Sequence, residues 1–229
     1  YYDRIDRLDS KLNSYLLLTR DHAMESARAA EAAVVRGDDL GALHGLPISI
    51  KDTQMTKGFP STMGSAVFKD RIPERDSAVV ERVLGAGAIM LGKTVTTEFA
   101  CLDPSHAKNP WNPAHTPGGS SSGSAVSVAA RMCPIAMGSQ TVGSVLRPAS
   151  YNGIVGLKPT YGRVSRRGVV PVSWSLDTVG WMGRSVEDMA LRLQVMAGPD
   201  ELDPVASRLS AGDYISGLES ARPSKIGLI

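Results

Sequence analysis

Short apolar runs alternate with helix-length apolar stripes along this chain, and that alternation limits its fold more than any other feature. Asp21 to Arg36 places Ala23, Ala27, Ala30 and Val34 on one helical face and stops at Gly37, a residue suited to a left-handed cap. Leu46 to Ile50 has the length of a buried strand. Asp76 can cap a helix striped by Val79, Val80, Val83 and Leu84 and ending in Gly85-Ala-Gly87. Ala88 to Leu91 reads as a strand, Ser124 to Met132 as a small-residue helix, and Ile135 to Met137 and Ile154 to Leu157 as further strands. Ser185-Val-Glu-Asp188 has capping-box spacing and opens a helix running to Gly198. Strands and helices that alternate in this way fold as α/β layers, with helices over a buried sheet.

A length of 229 residues allows one large core or two small ones, and no repeat or low-complexity linker divides the chain. It opens on Tyr1-Tyr2-Asp3 inside a helical pattern. It closes on Lys225-Ile-Gly-Leu-Ile229, which reads as a strand with no turn after it, so the N-terminal part of a longer protein is expected. Net charge is only +2 with both signs interspersed, which gives no electrostatic footprint for nucleic acid. No apolar run reaches membrane-spanning length and no signal-peptide pattern opens the chain. Cys101 and Cys133 are too few for a disulfide framework and read as reduced core thiols. A cytoplasmic location is expected.

Three segments carry chemistry. Lys51 closes the run Gly45-Leu-Pro-Ile-Ser-Ile-Lys51-Asp52, Ser120 opens the cluster in Pro117-Gly-Gly-Ser120-Ser-Ser-Gly-Ser-Ala125, and Ser144 lies in Gly138-Ser-Gln-Thr-Val-Gly-Ser144-Val-Leu-Arg147-Pro-Ala149. A serine is a poor nucleophile until a base takes its proton, and lysine can be that base when it is neutral. Competing readings are weaker. Gly118 and Gly123 have phosphate-loop spacing, but Ser124 stands where the lysine belongs. Gly119-Ser-Ser121-Ser-Gly123 matches the Gly-x-Ser-x-Gly elbow. That motif needs a preceding strand, which the prolines upstream forbid, and a later histidine, which only a further C-terminal part could supply. Ser105-His-Ala-Lys108 lies among prolines that exclude the helix its motif needs, and the four histidines lack metal-ligand spacing. Taken alone, Lys51 also fits a lysine snorkelling from a strand end, and the Gly/Ser cluster a flexible loop.

Together these segments resemble the amidase signature family of serine hydrolases. The resemblance extends through Gly41-Ala-Leu-His-Gly-Leu-Pro, Gly85-Ala-Gly-Ala-Ile-Met-Leu-Gly-Lys-Thr94, Glu98-Phe-Ala100, Asn109-Pro-Trp-Asn-Pro113 and Gly153-Ile-Val-Gly-Leu-Lys-Pro-Thr160, in order. It implies one amidase signature domain over 1–229, the N-terminal part of an α/β/α sandwich with a large mixed sheet. It further implies Ser144 as acyl-forming nucleophile, Ser120 as a bridging serine held by a cis peptide bond, and Lys51 as base, with no metal or organic cofactor.

The backbone N–H groups of Thr141, Val142, Gly143 and Ser144 would form the oxyanion hole, and Gln140 and Gly119 would help bind substrate. The text departs from the usual Thr-Asp-Thr-Gly-Gly-Ser: Gln140 replaces an aspartate, Val142 a glycine, and Val95 an asparagine after Gly-Lys-Thr. The nucleophile segment is similar to the malonamidase variant, in which an arginine at the spacing of Arg147 grips a substrate carboxylate. The competing reading pairs Arg147 with a structural acid. The implied activity is hydrolysis of a small-molecule carboxylic amide, with a homodimer left open. Two alternatives stand beside it: the A subunit of a glutaminyl-tRNA amidotransferase, which passes ammonia to its partners, and a catalytically impaired relative that binds a ligand or partner.

Overall fold

The computed structural model describes residues 1–219. Its strands are β1 (Tyr15–Leu18), β2 (Pro47–Lys51), β3 (Ile89–Thr94), β4 (Ile135–Gln140), β5 (Val155–Leu157) and β6 (Thr178–Gly183), in the sheet order β1-β3-β2-β4-β6-β5. β3, β2 and β4 run parallel, whereas β1 and β6 pair antiparallel with their neighbours, so the sheet is mixed. The helices are α1 (Tyr2–Leu12), α2 (Arg20–Arg36), α3 (Ala78–Gly85), α4 (Ser122–Ala129), α5 (Leu146–Asn152), α6 (Val186–Met196) and α7 (Tyr214–Glu219).

Strand alternation sorts the core onto two faces. Ile48, Ile50, Met90, Met137 and Trp181 meet Val79, Val80 and Val83 of α3 and Met189 and Met196 of α6. Their chain neighbours Leu91, Ala136 and Met182 point the other way, onto Ala125 and Val128 of α4 and Ala149 of α5. Helices therefore cover both faces, the expected α/β/α arrangement. Each fully buried aliphatic side chain contributes about 1.5–3 kcal/mol of transfer free energy. A third cluster of Ile5, Leu12, Val126 and Met132 packs α1 beside α4.

Several boundaries differ from the sequence reading. α3 begins after Ser77; Asp76, expected as its cap, instead accepts the Lys57 amide at 2.6 Å. β3 and β4 run on to Thr94 and Gln140, and α4 starts two residues early and ends at Ala129. On α2 only Ala23 is fully buried and Val34 is exposed, so little of the apolar stripe read from the sequence enters the core. The capping box of α6 forms as expected, with Ser185 and Asp188 each bonding the other's backbone. The strand expected at 225–229 lies outside the described residues. β6 had no counterpart in the sequence reading. Its Gly180 sits against β5, where a Cβ would stand 2.4 Å from Leu157 O.

Candidate active site

The carboxyl ends of β3, β2 and β4 converge, the position at which parallel α/β sheets characteristically place ligands. Lys51 is the last residue of β2 and is sealed from solvent. Its Nζ lies 2.8 Å from Ser120 Oγ and 3.0 Å from Ser139 Oγ, within hydrogen-bonding range of both. Burial pushes the Lys51 ammonium down to about 7, against the opposing pull of the Asp177 carboxylate. Neutral lysine is therefore accessible at physiological pH.

Ser120 is held from both sides. The Gly119–Ser120 peptide bond is cis, and the Ser120 carbonyl accepts the amide of Thr97, just past β3, at 3.2 Å. Arg147 approaches from α5 and donates to the Gly119 carbonyl through Nε at 3.1 Å and Nη2 at 2.6 Å. The pairing with a structural acid, one of the two sequence expectations for Arg147, is not what holds it. It pairs with no acid among the described residues, and two of its nitrogens are occupied by backbone. Gly119, expected to help bind substrate, has its carbonyl taken by Arg147. A Cβ there would stand 3.0 Å from Thr97 and 3.1 Å from the Ser122 hydroxyl.

The segment after β4 brings Ser144 to the same place. The Ser144 carbonyl accepts the Ser121 amide at 3.2 Å, tying it to the serine cluster. The bridging role implied for Ser120 calls for a hydrogen bond between its hydroxyl and that of Ser144, and this bond is not formed; Ser144 enters the group through its backbone. The carbonyls of Val142, Gly143 and Ser144 accept from Gln140 Nε2, Arg147 N and Ser121 N respectively. Within a trans peptide the N–H points opposite to the C=O. The amides of Gly143 and Ser144 are thus turned away from these partners. Val142 is not among the positive-φ residues and is 84% exposed, so the branched residue is accommodated at the surface.

Gln140, expected to help bind substrate, has its side-chain amide engaged by the backbone of its own loop. It is buried, its Oε1 accepts the amides of Val145 and Leu146 at 2.9 Å each, and its Nε2 donates to Val142 O at 3.0 Å. Its amide folds the loop that carries Ser144 and supplies acceptors at the start of α5. Ser121, the elbow candidate, is buried, with its hydroxyl donating to Ser139 O, so it presents no nucleophile. Cys133 is buried but Cys101 is exposed, contrary to the reading of both as core thiols.

Two groups escaped the sequence reading. Lys93 of β3 and Asp52 form a buried ion pair at 3.6 Å. Nζ also donates to Gln54 O and Ser61 Oγ, and the carboxylate accepts from Thr62 and Gly64. Desolvation lowers the Lys93 ammonium to about 8, with Asp52 pulling it back up. Asp177, immediately before β6, accepts the Thr141 hydroxyl at 2.5 Å. Beside it a cavity of about 310 Å³ is lined by Ser139, Thr141, Val170, Val172 and Trp174 among others. Among the described residues no cluster of His, Cys, Asp or Glu could hold a metal, and no helix is long and apolar enough to cross a membrane.

A mixed sheet between helical layers, with a buried lysine against a serine at its carboxyl edge, is the architecture of an amidase-type hydrolase domain. The sequence matches the family described as Amidase over residues 1–229, and the chain belongs to that family. It is 44% identical over 223 residues to the A subunit of the glutamyl-tRNA(Gln) amidotransferase of Nostoc sp. strain PCC 7120, covering 95% of this chain and 46% of that one. Native peptide amidase from Stenotrophomonas maltophilia superposes with a TM-score of 0.89 at 38% identity, covering 95% and 48% respectively. A chain from a vestigial protein complex that bears on the origins of an s-triazine catabolic enzyme superposes with a TM-score of 0.92 at 34% identity, covering 96% and 50%. The chain spans about half the length of the curated relatives it matches.

Proposed function

We propose that the protein hydrolyses a carboxylic amide through an acyl-Ser144 intermediate. The buried hydrogen bond between Lys51 Nζ and Ser120 Oγ, at 2.8 Å, is the observation that carries this reading. Once substrate binding brings the Ser144 hydroxyl within hydrogen-bonding reach of Ser120, neutral Lys51 takes the Ser120 hydroxyl proton while Ser120 takes that of Ser144, and Ser144 Oγ bonds to the amide carbon. The carbonyl electron pair moves onto oxygen, facing the amides of Gly143 and Ser144. As the pair returns, the C–N bond breaks and the relay delivers its proton to the leaving nitrogen. Water then repeats the sequence on the acyl ester and releases the acid.

Ammonia release by the full chain, screened over short, aromatic, fatty and carboxylated amides with Lys51→Ala as background, tests the reading. Turnover that the variant lacks is expected, and equal release from both proteins contradicts it. A second reading is favoured by the 44% identity to the A subunit of an amidotransferase: the same chemistry run on glutamine, with ammonia handed to partner proteins. Stable co-purification with such partners, together with glutaminase activity, separates it from a free amidase.

A further inference from the structure

Asp177 is 9% exposed and lies one residue before β6, opposite the end of β4, where Gln140 pairs with Thr178. One carboxylate oxygen accepts the Thr141 hydroxyl at 2.5 Å, short enough for a charge-assisted bond. The other accepts the amides of Val172 and Ser173 at 2.7 and 2.9 Å, closing the loop that carries Trp174 over the cavity. Its backbone carbonyl is 3.4 Å from Arg166 Nη1, a nitrogen that also donates to Trp174 O. Thr141 in turn opens the segment of amides that ends at Ser144, and Ser139, two residues earlier, touches Lys51.

We propose that Asp177 is a positioning residue for amide hydrolysis: a single carboxylate that fixes Thr141 at the head of the amide nest and fastens the Trp174 loop to it, lining the same cavity as Ser139, whose hydroxyl bonds Lys51. The inference rests on the reading of Lys51 as base. The side chains bonded to Lys51 or to its partners, Ser120, Ser139 and Thr53, are uncharged. Asp52, next along the chain, is paired with Lys93. Asp177 is then the carboxylate whose charge favours the ammonium form of Lys51 and opposes burial.

The test is kcat/KM against pH for the full chain and three variants. Asp177→Asn keeps the shape but removes the charge, so the rising limb should move to lower pH by about half a unit or more. Its plateau should fall about tenfold, since a neutral acceptor holds Thr141 less strongly. Asp177→Glu should keep the limb near its original pH and lose plateau. Thr141→Val should lose plateau with the limb unmoved. An Asp177→Asn limb at the original pH overturns the electrostatic role. A Thr141→Val plateau equal to that of the unmodified chain overturns the positioning role, and does so even if Asp177→Asn fails to fold. Loss of the limb in Lys51→Ala upholds the base reading on which the inference stands. Its persistence overturns that reading whatever the Asp177 variants do.

Discussion

Arg147 grips the carbonyl oxygen of Gly119 with two nitrogens, across 28 residues of sequence and directly before the serine hydrogen-bonded to Lys51. A planar fork can place two donors on one oxygen, but an ammonium on a flexible stem cannot reproduce that grip. Arg147→Lys should therefore loosen Ser120 and lower kcat/KM about tenfold for any substrate. Acidic and neutral amides of matched size, compared side by side, should lose equally. A loss confined to acidic amides would return Arg147 to the carboxylate-binding role that the sequence suggested.

Gln140 links the end of β4 to the start of α5 through three backbone hydrogen bonds. Gln140→Ala leaves two helix-start amides and one carbonyl without these partners, at a cost of about 1–3 kcal/mol for each group left buried and unpaired. Gln140→Glu keeps the acceptors but turns an anionic oxygen toward Val142 O or the helix amides. Both variants should melt earlier and show reduced kcat with KM nearly unchanged. A change confined to KM would mean that Gln140 meets substrate instead.

The parts of this architecture written in local sequence were legible. The Ser185–Asp188 capping box and the stripe of Val79, Val80 and Val83 each depend on neighbours within four residues. β6 was not legible, because Gly180 and Gly183 interrupt its apolar pattern for reasons found only in what packs beside them. In the site, Lys51, Ser120 and Ser144 could be singled out from their motifs. Lys93, Asp177 and the true work of Gln140 could not. Each acts through contacts that the fold creates between distant segments, such as Thr141 with Asp177 across 36 residues. Arg147 was noticed, but its partner is a backbone carbonyl, which no side-chain pattern reveals.

The Lys93–Asp52 pair should be costly to halve. Both groups are sealed from water, so Asp52→Ala leaves an uncompensated ammonium among Gln54 O and Ser61 Oγ. Breaking a buried pair in this way costs about 3–5 kcal/mol. Lys93→Met combined with Asp52→Leu should recover much of that loss. Denaturant midpoints of the single and double variants check this, and additive losses would show that the pair is not coupled.

Activity should rise with pH through a limb near 7. Lys51 must lose its proton to act, and burial brings that loss down from 10.5 to about 7, so the active form grows as pH rises through this value. His44, whose Nε2 bonds Ala30 O, belongs to another part of the fold and should not contribute. The profile of kcat/KM should keep its limb in His44→Ala and lose it in Lys51→Ala. A limb abolished by the histidine change would assign the base elsewhere.

The central claim is that Ser144 carries the acyl group. A fluorophosphonate forms a stable adduct with an activated serine, and peptide mass spectrometry of the labelled full chain locates it. The adduct should sit on Ser144, be absent from Ser144→Ala, and form far more slowly in Lys51→Ala. An adduct on Ser120 or Ser121, or labelling of Ser144 at the same rate without Lys51, would contradict it.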